Sequence, residues 1–188
     1  DFCNSVTRDP ITNQVTFLSK RPVNAAKEDV SGIDYAFTYN TEIAGLGTTF
    51  AVRATNLLKH ENQANPAAEG EILRGKITAD RGSYAKWRSN MSANIFAEKW
   101  SAGWSVRMIG EADDENGGGP IGSSVDNVFY NDLNFNYFFN EDMKLSFGVD
   151  NVFDEKAPYI TSWNDANTDV FTYDLMGQRW YMRASYTF

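Results

Sequence analysis

The chain has 188 residues, the length of one ordinary domain, and carries 25 acidic against 17 basic side chains for a formal net charge of −8. That balance excludes a nucleic-acid partner, whose phosphates call for clustered Lys and Arg. No stretch approaches the roughly 18 consecutive apolar residues of a membrane helix. Yet 13 Phe, 9 Tyr and 5 Trp bring aromatics to 14%, a mixture suited to strands with one apolar and one wet face.

In chain order, Asp1-Phe2-Cys3-Asn4 is neither a secretory start nor an initiator sequence, and reads as the interior of a longer protein. Cys3 is the only cysteine. Its partner therefore lies outside the segment, or it is a free thiol on a loop. A small hairpin is expected inside an outer loop spanning Asp1 to Lys27. It pairs Val6-Thr7-Arg8 with Val15-Thr16-Phe17-Leu18 and turns at Asn13-Gln14.

Beyond it the apolar period is two almost everywhere, which is the strand period, and no helix of any length is expected. Ile33, Tyr35, Phe37 and Tyr39 alternate with Asp34, Ala36, Thr38 and Asn40. Phe50, Val52 and Ala54 alternate with Ala51, Arg53 and Thr55. Trp87, Met91, Ala93, Ile95 and Ala97 oppose Arg88, Asn90, Ser92 and Asn94, with Ser89 a polar exception on the apolar side. Trp100, Ala102, Trp104, Val106 and Met108 oppose Ser101, Gly103, Ser105, Arg107 and Glu111. Leu133, Phe135, Tyr137 and Phe139 oppose Asp132, Asn134 and Asn136. Leu145, Phe147 and Val149 oppose Lys144, Ser146, Gly148 and Asp150. Last, Trp180, Met182, Ala184, Tyr186 and Phe188 oppose Tyr181, Arg183, Ser185 and Thr187.

The expectation is an all-β chain of seven antiparallel strands. Aromatics gather at the ends of the apolar face: Trp180 and Phe188 on one strand, Phe129 and Phe139 on another, Trp87 and Trp100 on a hairpin. Eight residues at about 3.3 Å, tilted about 40°, rise roughly 20 Å, close to the apolar band of a transmembrane barrel with aromatic girdles. Cross-strand aromatic pairs on a soluble sheet are the other reading. The connections alternate in length. Thr41 to Gly47, Glu98-Lys99 and Asn140-Glu141-Asp142 are short; Lys59 to Lys86, Ala112 to Asn127 and Asn151 to Gln178 are long. Short turns at one end and long loops at the other are the arrangement of an outer-membrane barrel, with the polar, acidic, glycine-rich loops outside. Bacterial single-chain barrels have even strand numbers, so seven strands are expected to be part of a larger barrel.

Three stretches resemble TonB-dependent outer-membrane receptors. Val30-Ser31-Gly32-Ile33-Asp34 looks like the family's V-x-G-[IV]-[DE] strand start. Phe147-Gly148-Val149-Asp150-Asn151-Val152-Phe153-Asp154, followed by Ala157-Pro158-Tyr159, is similar to its G-x-x-N-[LV]-F-D … P-P segment, with Ala157 where a first proline is frequent. Tyr173-Asp174-Leu175-Met176-Gly177-Gln178-Arg179 and the closing strand resemble the Y-D-x-x-G-R-x-[WYF] ending, with Gln178 inserted. The resemblance covers nearly the whole chain. It implies the last seven of twenty-two barrel strands of an active transporter in the bacterial outer membrane, with the N-terminal plug domain and TonB box upstream. The implied partners are the lipid bilayer, the protein's own plug and remaining strands, the TonB complex, a surface lipoprotein, and a nutrient: a ferric siderophore, a cobalamin, an oligosaccharide or a peptide. It further implies that Phe188 is the signal read by the barrel-assembly machinery, and that Cys3 pairs with an upstream cysteine, as in one branch of the family.

Candidate side chains follow from position. Arg53, Arg88, Arg107, Glu111, Asp132 and Arg183 fall on the polar face, where in the family such charges hold the plug. Trp163, Tyr159 and Asn164, on the last long loop, are candidate substrate contacts, since rings stack on sugars or flat chelates. Gly177 is expected to provide a tight turn into the last strand, and Arg179 to meet a loop carboxylate such as Asp174. His60, beside Lys59 and Glu61, is expected as a solvated loop residue. Asp154, Asp165 and Asp169 are oxygen ligands a calcium ion would take, or simply an acidic, hydrated loop. No zinc cluster, P-loop, dinucleotide turn or Ser–His–carboxylate pattern is visible, so neither an enzyme nor a cofactor is expected. Two other readings share the pattern: a passive porin-like channel, and a soluble carbohydrate-binding β-sandwich with its apolar face buried in a core.

Overall fold

The computed structural model describes residues 5–19, 27–64, 69–79, 81–163 and 165–188. These form fourteen strands and no α-helix. In chain order they are β1 (Val6–Arg8), β2 (Val15–Leu18), β3 (Lys27–Ile43), β4 (Leu46–Gln63), β5 (Glu71–Ile72), β6 (Lys76–Thr78), β7 (Gly82–Ser83), β8 (Trp87–Phe96), β9 (Trp100–Ile109), β10 (Ala112–Asp114), β11 (Ser124–Val125), β12 (Val128–Phe138), β13 (Met143–Asp150) and β14 (Arg179–Tyr186).

All seven expected strands are present. They lie side by side as an antiparallel meander, β3-β4-β8-β9-β12-β13-β14, with β5 appended to β4. The expected small hairpin is β1–β2, turning through Asn13 at φ 59°. Its tip is held by Asp9, whose Oδ1 accepts the N–H groups of Ile11 and Thr12; the Thr12 N–H is the larger cause holding the Asp9 carboxyl below its ordinary range. The turns β3/β4, β8/β9 and β12/β13 are short and share one end with Phe188; the long connections share the other.

The first two strands run 17 and 18 residues, far beyond the expected 33–40 and 50–55. The added length mixes charged residues with scattered apolar ones such as Val30, Leu57 and Leu58, so it carries no alternation to detect. It is held instead by cross-strand charge, Asp29 with Lys59 and Glu28 with His60 at 2.7 Å, while Glu61 meets Lys59 along the same strand at 2.8 Å. A bulge between Ser31 and Gly32 separates this extension from the regular ladder. His60 is therefore corrected: it is a strand residue with its side chain 11% exposed, edge-on to Tyr84 at 4.5 Å. At the other terminus β14 stops at Tyr186, though the Thr187 N–H still bonds the Asp142 carbonyl.

Because directly paired residues share a face, the register sorts every side chain. One row across the sheet reads Tyr39, Phe50, Ala93, Trp104, Leu133, Val149 and Trp180. The next on that face reads Thr41, Thr48, Ile95, Ala102, Phe135, Phe147 and Met182. The opposite face carries rows such as Asn40, Thr49, Asn94, Gly103, Asn134, Gly148 and Tyr181. Nothing among the described residues covers the apolar rows: Trp104, Phe135 and Met182 are 49%, 40% and 69% exposed. A sandwich would bury these rings against a second sheet.

The long connections are corrected too. Expected as hydrated loops, they fold together into a cap with its own core. Its sheet is β11-β10-β6-β7, where β6 and β10, from different connections, pair in parallel. Ile77, Val125, Ile160, Trp163 and Tyr173 are buried there, and Ile109, Val128 and Tyr130 rise from the sheet to meet them. Fully burying such a side chain contributes roughly 1.5–3 kcal/mol, enough to fold polar sequence around isolated apolar residues.

Candidate functional site

Three surfaces carry chemistry: the polar wall of the sheet, the cap above it, and the apolar wall behind. On the polar wall the register aligns Arg53, Asn90, Arg107 and Tyr130 in one row. One row nearer the turns stand Ala51, Ser92, Ser105 and Asp132. All of these but Tyr130 line a cavity of about 390 Å³. The Arg107 guanidinium lies 4.6 Å from the Tyr130 ring centroid, a cation–π contact. Asp132 Oδ1 accepts the Asn151 N–H at 2.8 Å and so anchors the start of the last connection.

The sheet thus brings Arg53, Arg107 and Asp132 together, while Arg88 and Arg183 lie on the same face further up and down the strands. Arg88 donates to the Ser83 carbonyl at 2.7 Å and ties the wall to the cap. Glu111 stands apart. It follows the end of β9, is exposed, and pairs with Lys86 at 3.4 Å at the cap's margin.

Small residues shape the polar wall where its polar side chains cross. A Cβ on Gly103 would lie 2.6 Å from both Asn94 Oδ1 and Asn134 Nδ2, so two amides lean over this glycine. A Cβ on Gly148 would meet the Tyr181 ring at 2.1 Å; the ring covers the bare backbone. Further along, Ser146 Oγ donates to Asn136 Oδ1 at 2.7 Å and Asn136 Nδ2 to Ser101 Oγ at 3.1 Å.

In the cap, Asp114 is buried and joins two connections. Its Oδ1 accepts the Ser162 hydroxyl at 2.6 Å and the Asn116 N–H at 3.1 Å, and its Oδ2 accepts the Ser162 N–H at 3.0 Å. Thr161 Oγ1 donates to the Ile121 carbonyl at 2.6 Å. Burial pushes the Tyr173 hydroxyl up to about 12. Desolvation, then a hydrogen bond to Glu71 and its charge, raises the Glu115 carboxyl. Sequence reading missed Asp114, because a lone aspartate in an acidic run carries no signal until its partner 48 residues on is placed beside it.

Of the candidate substrate contacts, Tyr159 is 54% exposed on the cap surface. Trp163 is corrected: at 4% exposure its ring packs edge-on against Phe171 at 5.5 Å, so it belongs to the cap's core and offers no free face for stacking. Asn164 and Cys3 lie outside the described residues. The three aspartates considered as calcium ligands do not converge. Asp154 pairs with Lys156 at 2.7 Å, the first cause of its lowered carboxyl pKa, and also accepts the Gln178 N–H. Asp169 is fully buried, with Oδ1 accepting the Phe171 N–H, and Asp165 is exposed. No group of three or more His, Cys, Asp or Glu able to hold a metal occurs among the described residues.

The entry into β14 follows the sequence expectation. Gly177 takes φ +69°, and Arg179 Nη2 reaches both Asp174 and Asp150 at 3.6 Å. Phe188 is fully exposed beyond the last strand, its ring edge-on to Tyr186 at 5.3 Å. The chain matches no protein-family model, no curated protein and no solved structure.

Proposed function

We propose that this chain is a seven-strand part of a bacterial outer-membrane β-barrel, and that the whole protein is a TonB-dependent receptor that imports an extracellular nutrient. The observation that carries the reading is the uncovered sheet. Its aromatic and aliphatic rows have no second layer among the described residues, while its opposite face is hydrogen-bonded, charged and roofed by the cap. Contiguous exposed apolar surface of this kind calls for lipid or another apolar cover. Lipid tails suit the shallow trough of about 550 Å³ between Trp104 and Trp180. The short turns with Phe188 then face the periplasm and the cap faces outward.

In this reading the polar wall lines an interior that the plug fills, and the cap forms part of the outer mouth where substrate first meets the protein. Tyr159 is the sequence-nominated contact that remains accessible there. The protein binds and releases its cargo without covalent chemistry; the energy comes through TonB.

Phe188 supplies the test. As the assembly signal, it should be needed for insertion: deleting it is expected to lower the receptor's level in isolated outer membranes severalfold, measured against an unaltered outer-membrane control. Unchanged levels would leave Phe188 as a rim aromatic only. Recovery of the protein in the soluble fraction of cells would overturn the reading itself.

A further inference from the structure

The polar wall holds a charge imbalance of its own. Acidic residues outnumber basic ones in this chain, yet among the described residues no carboxylate pairs with Arg53 or Arg107. Of the nearest carboxylates on that face, Asp132 takes the Asn151 N–H on Oδ1 and stands at the cavity's edge without an ion pair, Asp34 accepts the Thr55 hydroxyl at 2.6 Å, and Asp150 pairs with Arg179. The Arg53 side chain makes no hydrogen bond to any described residue, and that of Arg107 has only the Tyr130 ring beneath it.

Position matters as much as count. Arg53 and Arg107 sit in register on either side of Asn90. Strands lie about 4.8 Å apart, so their Cα atoms are about 10 Å apart, and two arginine side chains leaning inward reach a common point between them. The space between them is the 390 Å³ cavity, which also presents the Ser92 and Ser105 hydroxyls and the single carboxylate of Asp132, so two guanidinium charges face one acidic group. Two guanidinium forks, an amide and hydroxyls around one hollow form a donor set for an oxyanion, which a guanidinium can grip through two parallel N–H···O bonds.

We propose that Arg53, Asn90 and Arg107 form a binding site for a carboxylate or phosphate group. Tyr130 keeps Arg107 in place, and the Asn90 amide closes the gap between the two cations. The oxyanion has two possible sources: a dissolved anionic ligand, or a carboxylate side chain from protein packed against this wall. The site needs only a polar face open to water, so it stands whether lipid or something else covers the apolar face.

The test uses the full-length protein and the double variant Arg53→Gln/Arg107→Gln, with Arg8→Gln as a control on an exposed arginine far from the cavity. Inorganic phosphate is titrated calorimetrically, and melting is followed across a salt series. For a dissolved ligand, phosphate binds saturably and the double variant weakens it about tenfold or more. For a protein carboxylate, phosphate finds the site filled. The double variant then melts lower than the parent, and the difference shrinks as salt rises. Arg53→Lys/Arg107→Lys keeps the charge without the fork and should fall between. If the double variant changes neither phosphate binding nor the salt dependence of melting, the site does not exist.

Discussion

Asp114 shows how one side chain organises what looked like slack. Its two oxygens take three donors, two of them from Ser162 on another connection. Replacing it with alanine takes the acceptor from those part-buried donors, and each such loss costs up to about 1–3 kcal/mol. Asp114→Ala is therefore expected to loosen the cap by several kcal/mol while leaving the sheet intact. Hydrogen exchange should speed up at Ser162 and across β6 and β10 but not in β8, β9 or β12. Unchanged exchange at Ser162 would mean the cap is held by its apolar core alone. Single residues were also where sequence reading was weakest. Trp163 and His60 each looked accessible because their chain neighbours are polar. The burial of one and the cross-strand Glu28 contact of the other come from residues distant in sequence.

At the scale of the strand and the turn, much more was legible. Alternation fixes which side chains share a face, and a one-residue slip would exchange the faces entirely. So Trp104 and Arg107 could be assigned to opposite sides from sequence alone, as they are. The upper halves of β3 and β4 were not legible, because charged residues on both faces leave no period to follow. The cap strands were not either: two- and three-residue strands are shorter than any pattern. The β3–β4 hairpin offers a test of turn physics. Ala44 and Gly45 both take positive φ, 53° and 79°, the requirement of a type I′ turn, where Asn-Gly is favoured. Alanine is strained in that region. Ala44→Asn is expected to stabilise the hairpin by roughly 0.5–1 kcal/mol and raise the melting temperature. A lower melting temperature would contradict the turn geometry.

Across the whole molecule, the two walls and the cap make different environments for tryptophan. Trp104 and Trp180 stand on the apolar wall, 49% and 74% exposed, whereas Trp163 is 4% exposed within the cap. With the full-length protein in bilayers whose acyl chains carry bromine, variants retaining one tryptophan should separate cleanly. Trp104 and Trp180 fluorescence should be strongly quenched and Trp163 fluorescence untouched. Quenching of Trp163, or none of Trp104, would put the apolar wall away from lipid. The molecule's plan was readable in sequence because one apolar face repeats over seven strands. Its roof was not, because Ile77, Val125 and Ile160 come from three different connections with no apolar period, and only folding gathers them.

Among the described residues, the meander leaves β3 and β14 without neighbours on their outer sides. Six reversals separate them, so both strands run in the same sense, from the cap toward the short turns. Were these two margins to meet, the seam would be a parallel ladder with slanted bonds inside an otherwise antiparallel wall. Only an odd number of intervening ribbons lets every junction stay antiparallel. Under the barrel proposal, arithmetic alone thus sets the strand parity of whatever polypeptide completes the circumference.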